Sequence, residues 1–341
     1  MAKIFILAFS AILFSQTVFG AKVELMKDTS GIWRLYVNGG VFFVKGVCYE
    51  PVKVGDKLSA ANEWMDYDFN NNGINDCAYD SWVDKNRNNR QDPDEVDLGD
   101  FYLMKEMGVN AIRLYHHVNI KKEVLRDIYE RFGIRVIIGN LLGAYCWGSG
   151  ASWQQGTDYT NPEHCKSMLD DVKRMVLEHK DEPYLLMWLL GNENDVAGCY
   201  ENSTFNNTNA RLKPEVFAKF VNKMAEFIHF LDRDHPVGVC DSTYLLLSYY
   251  KDFTPAIDFI GFNSYAGHYG LSSLFRTVKF YIDKPVLISE FGADSYDHRK
   301  GGRNEDLQIF YHKSSWRDIV NNSQNEAGGE FYRRRYLYLA G

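Results

Sequence analysis

The sequence predicts an α/β fold of the (β/α)8 TIM-barrel type. Short, nearly continuous apolar runs alternate with helical patterns along most of the 341 residues. Polar and acidic residues stand directly beyond several of those runs, where barrel sites are built. No GxGxxG or P-loop motif supports the doubly wound, nucleotide-binding alternative.

Residues 1–20 read as a signal peptide, and residues 21–341 as one barrel domain. Lys3 opens the signal, Ile4 to Phe14 is apolar apart from Ser10, and Val18 and Gly20 precede Ala21. That apolar stretch is short of the roughly 20 residues a bilayer span requires. The expectation is therefore a secreted or periplasmic protein without a membrane partner once the signal is removed. Val23 to Leu25 and Trp33 to Val37 then alternate like a hairpin around Thr29-Ser30-Gly31.

Strands are expected at Phe42–Cys48, Ala111–Tyr115, Val136–Leu141, Leu185–Leu190, Val237–Cys240, Phe259–Asn263 and Val286–Ser289. Each is a short, nearly continuous apolar stretch, as in a parallel sheet buried on both faces. Helical patterns cover Phe101–Met107, Lys121–Phe132, Cys165–His179 and Pro214–Leu231, with Pro214 suited to a first helical position. Gly328 to Tyr332 begins an eighth strand, but no helix is recognisable after it, so the eighth βα unit reads as incomplete.

Hydrophobic residues make up 45% of the chain and charged residues 24%, which excludes a disordered or fibrous protein. A formal charge of −7 with no long basic cluster argues against nucleic acid, the short run Arg333-Arg334-Arg335 notwithstanding. Six cysteines (Cys48, Cys77, Cys146, Cys165, Cys199 and Cys240) show no zinc spacing, and their pairing in an oxidising compartment stays open. Glycosylation sequons begin at Asn202, Asn206 and Asn321.

Residues 62–97 interrupt the rhythm with an Asp- and Asn-rich insertion after the first barrel strand. Two stretches there resemble EF-hand-type loops, in which oxygens at alternate positions wrap a hard cation. In the second, Asp84, Asn86 and Asn88 fill positions 1, 3 and 5, Arg90 offers its carbonyl, and Asp92 and Glu95 take positions 9 and 12. In the first, Asp68, Asn70, Asn72 and Asp76 supply ligands around Gly73, and Tyr79 stands at position 12. A structural Ca2+ is expected, with no cofactor for catalysis; the alternative is a solvated polar loop.

The chemistry concentrates at two strand ends. Leu185 to Leu190 runs into Gly191-Asn192-Glu193-Asn194, and Pro285 to Ser289 into Glu290-Phe291-Gly292-Ala293-Asp294. An apolar strand seldom ends in an acid for packing reasons, because burying a carboxylate is costly. Two such acids on one rim match the proton donor and nucleophile of glycoside cleavage.

With these motifs the chain resembles clan A glycoside hydrolases, most nearly the barrel domain of glycoside hydrolase family 2. His179-Lys180-Asp181-Glu182-Pro183, Phe43-Val44-Lys45-Gly46-Val47 and Asn110-Ala111-Ile112-Arg113-Leu114-Tyr115 extend the likeness over residues 33 to about 297. The same pieces are similar to the fungal β-1,3-glucanosyltransferases. The resemblance implies that Glu193 is the general acid/base and Glu290 the nucleophile of a retaining hydrolase acting on β-linked oligo- or polysaccharides. It implies that Asn192 binds the sugar 2-hydroxyl, that Arg113 hydrogen-bonds Glu290, and that Tyr265 holds the same carboxylate from another side. The usual members of that family carry β-sandwich domains ahead of the barrel, whereas a hairpin is expected ahead of it here.

Trp147 and Trp153 are candidate sugar-stacking rings, against the alternative of packing within their own loop. His116 and His117 lie at the rim as substrate contacts or as hydrogen-bonded structural residues; Tyr244, His268 and Asp294 are lesser rim candidates. No GxSxG elbow supports esterase chemistry. Two other readings stand beside the hydrolase: a β-glucan transglycosylase, and a catalytically silent carbohydrate-binding barrel. Oligomeric state is not legible.

Overall fold

The computed structural model describes residues 20–51, 62–66, 81–88, 90–196, 206–266 and 270–323. The expected signal, the first calcium loop (Asp68, Asn70, Asn72, Asp76), Cys77, Cys199, the Asn202 sequon, His268 and the candidate eighth strand lie outside them.

The chain enters through an antiparallel unit of β1 (Val23–Lys27), β2 (Trp33–Val37) and β3 (Gly40–Val41). Asp28 forms its turn, accepting the Ser30 and Ile32 N–H groups on one oxygen and Arg34 Nε at 2.6 Å on the other. Seven parallel strands follow as a nearly closed barrel: β4 (Gly46–Cys48), β5 (Ala111–Leu114), β6 (Arg135–Asn140), β7 (Leu185–Leu190), β8 (Val237–Asp241), β9 (Phe259–Asn263) and β10 (Val286–Glu290), neighbouring in chain order. The helices between them are α1 (Asp100–Glu106), α2 (Lys122–Phe132), α3 (Pro162–His179), α4 (Pro214–Leu231), α5 (Leu247–Phe253) and α6 (Leu271–Tyr281). Beyond β10 come the two-residue strands β11 (Tyr296–Asp297) and β12 (Gly302–Arg303), then α7 (Glu305–Asn322).

Side-chain alternation along the strands divides the core in two. Ile112, Leu114, Val136, Ile138, Val239 and Ile260 face outward against the helices. Ala111, Ile137, Met187, Leu189, Cys240 and Phe259 face the lumen, where Val23 and Leu35 of the first sheet pack against them. That hairpin therefore plugs the N-terminal mouth. Lining both layers is why these strands read as nearly continuous apolar runs.

Two expectations change. Phe42 N donates to Leu35 O at 2.8 Å, tying Phe42 to the hairpin, so only Gly46–Cys48 of the expected Phe42–Cys48 strand joins the barrel. The insertion also begins apolar: Trp64 and Met65 are buried, and Tyr49 packs edge-on against Trp64.

Among the described residues no ladder joins β10 to β4. Cys48 Sγ lies 3.5 Å from the Ser289 carbonyl across that interval. A cavity of about 1170 Å3 opens there, lined by Val44, Val47, Val286, Ile288, Trp316 and Ile319. Buried Asp318 of α7 accepts the Leu271 and Ser272 N–H groups at the start of α6, locking the last two helices together.

Candidate active site

The C-terminal strand ends carry the polar cluster. After β7 the chain turns sharply, with Gly191 at φ 74° and Glu193 at φ 55°. A left-handed glutamate is strained, and such strain persists only where surrounding bonds hold it. Asn194 supplies several of them. Its Oδ1 accepts Asn192 N at 2.8 Å, and its Nδ2 donates to Leu141 O, Leu142 O and the Tyr159 hydroxyl. Asn206 donates to the carbonyls of Asn192 and Glu193, and Glu193 N bonds Cys240 O at 3.2 Å. Asn206 is thus wholly buried in its sequon.

Glu290 is aimed by a different device. The β10–β9 register slips between Ile288 and Glu290, pairing Glu290 with Asn263. Ser289 Oγ bonds Asn263 Oδ1 at 2.9 Å, and the bulge brings the next residue to Asn263 as well.

Asn263 joins the two acids. Its Nδ2 lies 2.9 Å from Glu193 Oε1, 3.1 Å from Glu290 Oε1 and 3.0 Å from Asn192 Oδ1. One nitrogen reaching both glutamates confines those oxygens to within about 6 Å of each other, whereas inverting pairs stand roughly 6.5–9.5 Å apart. Burial pushes the Glu193 carboxyl up; the Asn263 bond opposes this and the Glu290 charge reinforces it.

Arg113, inward-facing on β5, sits at the base. The expected hydrogen bond to Glu290 is replaced by an ion pair at 4.0 Å. The guanidinium fork is engaged elsewhere: NH1 donates to Ser289 O and Asn263 Oδ1, and NH2 to Asn192 Oδ1 at 3.0 Å. Asn192 is therefore oriented through its oxygen. Tyr115 makes the close bond to the nucleophile candidate, its hydroxyl 2.8 Å from Glu290 Oε1, with the Arg113 guanidinium 4.2 Å from its ring centre. Tyr265, expected in that position, lies at the rim and is 64% exposed; Glu290 remains its hydrogen-bonding neighbour. Glu50, beyond β4, adds a third carboxyl. It accepts Tyr115 N at 3.0 Å, and burial raises its proton affinity.

His116 is not brought to the cleft surface. It is 1% exposed, accepts Leu141 N on Nδ1 at 3.3 Å and packs edge-on against Trp147 at 5.0 Å. Trp147 thus covers a buried histidine, while Trp153 is exposed. His116, His117 and Asp171 form a convergent buried cluster of ligand-type atoms. His117 Nε2 lies 3.2 Å and His116 Nε2 3.7 Å from the Asp171 carboxylate, which also accepts Asn140 Nδ2 at 2.8 Å and pairs with Arg174. Although burial pushes it up, the bond and charge from His117 hold Asp171 down at about 2; burial pushes His116 down to about 3.

In the second expected calcium loop, Asn86 and Asn88 both turn to Asp92 Oδ2, at 2.6 and 2.9 Å. Asp84 Oδ1 accepts Asn88 N, and Asn88 Oδ1 accepts Arg90 N. Glu95 is buried and accepts the Lys85 and Asp92 N–H groups on its two oxygens. The side-chain oxygens of Asp84, Asn86, Asn88, Asp92 and Glu95 thus accept from N–H groups of the loop itself. Cys48, Cys146, Cys165 and Cys240 are free thiols, and no helix among the described residues is long and apolar enough to cross a membrane.

Residues 85–324 match the family model described as glycosyl hydrolases family 2, TIM barrel domain. A beta-glucuronidase of Rattus norvegicus is 27% identical over 207 residues, covering 58% of this chain and 28% of that protein. A 1,3-beta-glucanosyltransferase of Aspergillus fumigatus is 26% identical over 277 residues, covering 75% of this chain and 52% of that protein. Among solved structures, a beta-D-glucuronidase of Dictyoglomus thermophilum superposes with a TM-score of 0.53 at 18% identity, covering 88% of this chain and 45% of that one. This last is a likeness of fold. The chain spans between about a quarter and a half of the length of these relatives.

Proposed function

The chain belongs to the TIM-barrel domain of glycosyl hydrolase family 2, and on that premise we propose an exported retaining β-glycosidase with Glu290 as nucleophile and Glu193 as general acid/base. The observation that carries this reading is the Asn263 amide, which reaches both carboxylates and keeps the bonded oxygens within about 6 Å of each other, a separation that supports a retaining rather than an inverting pair. Tyr115 donates to Glu290 and the Arg113 guanidinium stands 4.0 Å from it, while burial and the Glu290 charge favour a protonated Glu193.

In the first step Glu290 forms a bond to the anomeric carbon as the glycosidic C–O bond breaks, and the Glu193 proton passes to the leaving oxygen. In the second, Glu193 takes a proton from the incoming water or sugar hydroxyl as that oxygen displaces Glu290. Asn192, with its Oδ1 held by Arg113, is oriented to bind the sugar 2-hydroxyl. β-Linked oligo- or polysaccharides are the proposed substrates.

Nitrophenyl β-glycosides and β-glucan oligosaccharides test this. Turnover is expected, with Glu290→Gly abolishing it and azide restoring part; full activity in that variant refutes the assignment. A second reading, transglycosylation, is supported by the 75% coverage of this chain in the glucanosyltransferase match. Products longer than the substrate distinguish it, and binding without turnover indicates a silent barrel.

Two accessory proposals complete the reading. The first 20 residues direct export, which N-terminal sequencing of material outside the producing cell tests. Asp84, Asn86, Asn88, Asp92 and the Arg90 carbonyl hold a structural Ca2+ beside the site, the Asp68 loop supplying a second set.

A further inference from the structure

Asp195 follows Glu193 by two residues, and Asp241 ends β8. They are 0% and 2% exposed. Asp195 Oδ2 accepts the Thr243 hydroxyl, and Asp241 Oδ2 accepts the Tyr250 hydroxyl. The second oxygen of each, Oδ1 in both, is buried without a hydrogen-bond partner, and the two carboxyls face one another as hydrogen-bonding neighbours. Among the described residues no lysine, arginine or histidine forms an ion pair with either. Two ionised carboxylates are prohibitively costly in such a place.

We propose that Asp195 and Asp241 share one proton, forming an acid–carboxylate pair of single negative charge that positions Glu193 and sets its proton affinity. This rests on the reading of Glu193 as the acid. With the proton on Asp241 Oδ1, donated to Asp195 Oδ1, all four oxygens are satisfied: Thr243 and Tyr250 serve the other two. Burial, reinforced by the Asp195 charge, pushes Asp241 well above the carboxylate range. The Glu193 N–H bond to the Cys240 carbonyl ties the strained turn to the residue beside Asp241. The pair therefore clamps the acid's backbone as well as acting on its charge.

The groups facing Glu193 are Asn263 and Glu290 from β9 and β10, Arg113 from β5, Asp195 on its own turn, and the phenols of Tyr145 and Tyr265. Those facing Asp241 are Asp195, Glu193, Tyr250 of α5, Tyr159 and the neighbouring Cys240 thiol. Arg113 is the only cation among them. The Asp195 charge adds to that of Glu290 in keeping Glu193 protonated.

The test has two arms. Asp241→Asn keeps the shape and an N–H donor toward Asp195 while needing no proton. Because the folded affinity of Asp241 is raised, its stabilising effect is full below the unfolded carboxylate value and is lost as pH rises. The melting temperature of Asp241→Asn relative to wild type is therefore expected to climb between about pH 5 and pH 8. A difference that is flat with pH, or one abolished by EGTA because a cation bridges the pair, overturns the proposal. This arm needs no turnover, so failure of the glycosidase reading leaves it decisive. In the second arm, Asp195→Asn/Asp241→Asn removes the charge, and the alkaline limb of kcat/KM is expected to move down by about one pH unit. An unmoved limb in a folded double variant removes the pair from any role in setting Glu193.

Discussion

Asn263→Ala is the most informative single change, because both acids and their support depend on one amide. The substitution removes the Nδ2 donor shared by Glu193, Glu290 and Asn192, together with the Oδ1 acceptor of Arg113, Ser289 and Cys240. The site is 1% exposed, so the freed partners are stranded unless water enters. Leaving buried polar groups unmade costs about 1–3 kcal/mol each, and partial rescue by water leaves a net loss of about 2–4 kcal/mol. For a domain of this size that corresponds to a melting temperature lower by about 3–8 °C. The kinetic signature is more specific. The Asn263 bond holds Glu193 down against burial, so its loss raises the affinity of Glu193 for its proton. The alkaline limb of kcat/KM is then expected to move up by about half a unit to one unit, while kcat falls about a hundredfold as the carboxylates lose their spacing. A pH series on an aryl β-glycoside measures both. A limb that moves down, or one that stays put while activity collapses, would show that Asn263 does not act on Glu193 as argued.

Gly191→Ala places a Cβ 2.7 Å from Asn194 Oδ1 at φ 74°, and is expected to cost more than about 2 kcal/mol by thermal melting and to depress kcat more than it raises KM. Asp171, held at about 2 when folded, contributes stability that is present above the ordinary carboxylate value and lost as pH falls from about 4 to about 2, on the order of 2 kcal/mol. Denaturant titrations should show that acid loss in the wild type and a shallower one in Asp171→Asn. His116→Gln is the control for the separate loss expected from about pH 6.5 downward as a histidine buried in neutral form is charged. EGTA is expected to lower the melting temperature, with calcium at 100-fold over its Kd worth about 2.7 kcal/mol; Asp84→Ala should lose the response, and a wild type indifferent to chelator excludes the ion.

The sequence carried the strands, because a parallel barrel buries both faces of each and leaves nearly continuous apolar runs. Glu193 and Glu290 stood out for the complementary reason, as acids where packing alone would not put one. What stayed hidden is informative. Asn263 closes an apolar run just as a cap residue does, and nothing local announces that its amide spans two acids from other strands. Tyr115 and Tyr265 both stand just beyond strand ends. Only the Arg113 guanidinium beneath one ring distinguishes the inner from the outer. The β10 bulge leaves no mark in Val286–Glu290. Helix α7 escaped periodicity because His312, Ser314, Ser315 and Asp318 are among its buried residues. Helix α6 did carry a legible stripe, Leu271, Leu274 and Val278, but lay between segments read as rim.

The two glutamates are chemically the same residue, and the division of labour proposed for them follows from how each is delivered. Glu290 arrives on a strand whose bulge sets it beside Tyr115 and within 4.0 Å of Arg113. Glu193 arrives on a left-handed turn held from below by Asn194 and Asn206, and the Arg113 charge bears on it less than burial does. Exchanging the roles would require moving the cation, not the acids. Arg113 is fixed by Ser289, Asn263 and Asn192 from three different strand ends, so the barrel as a whole, rather than either loop, determines which acid keeps its proton.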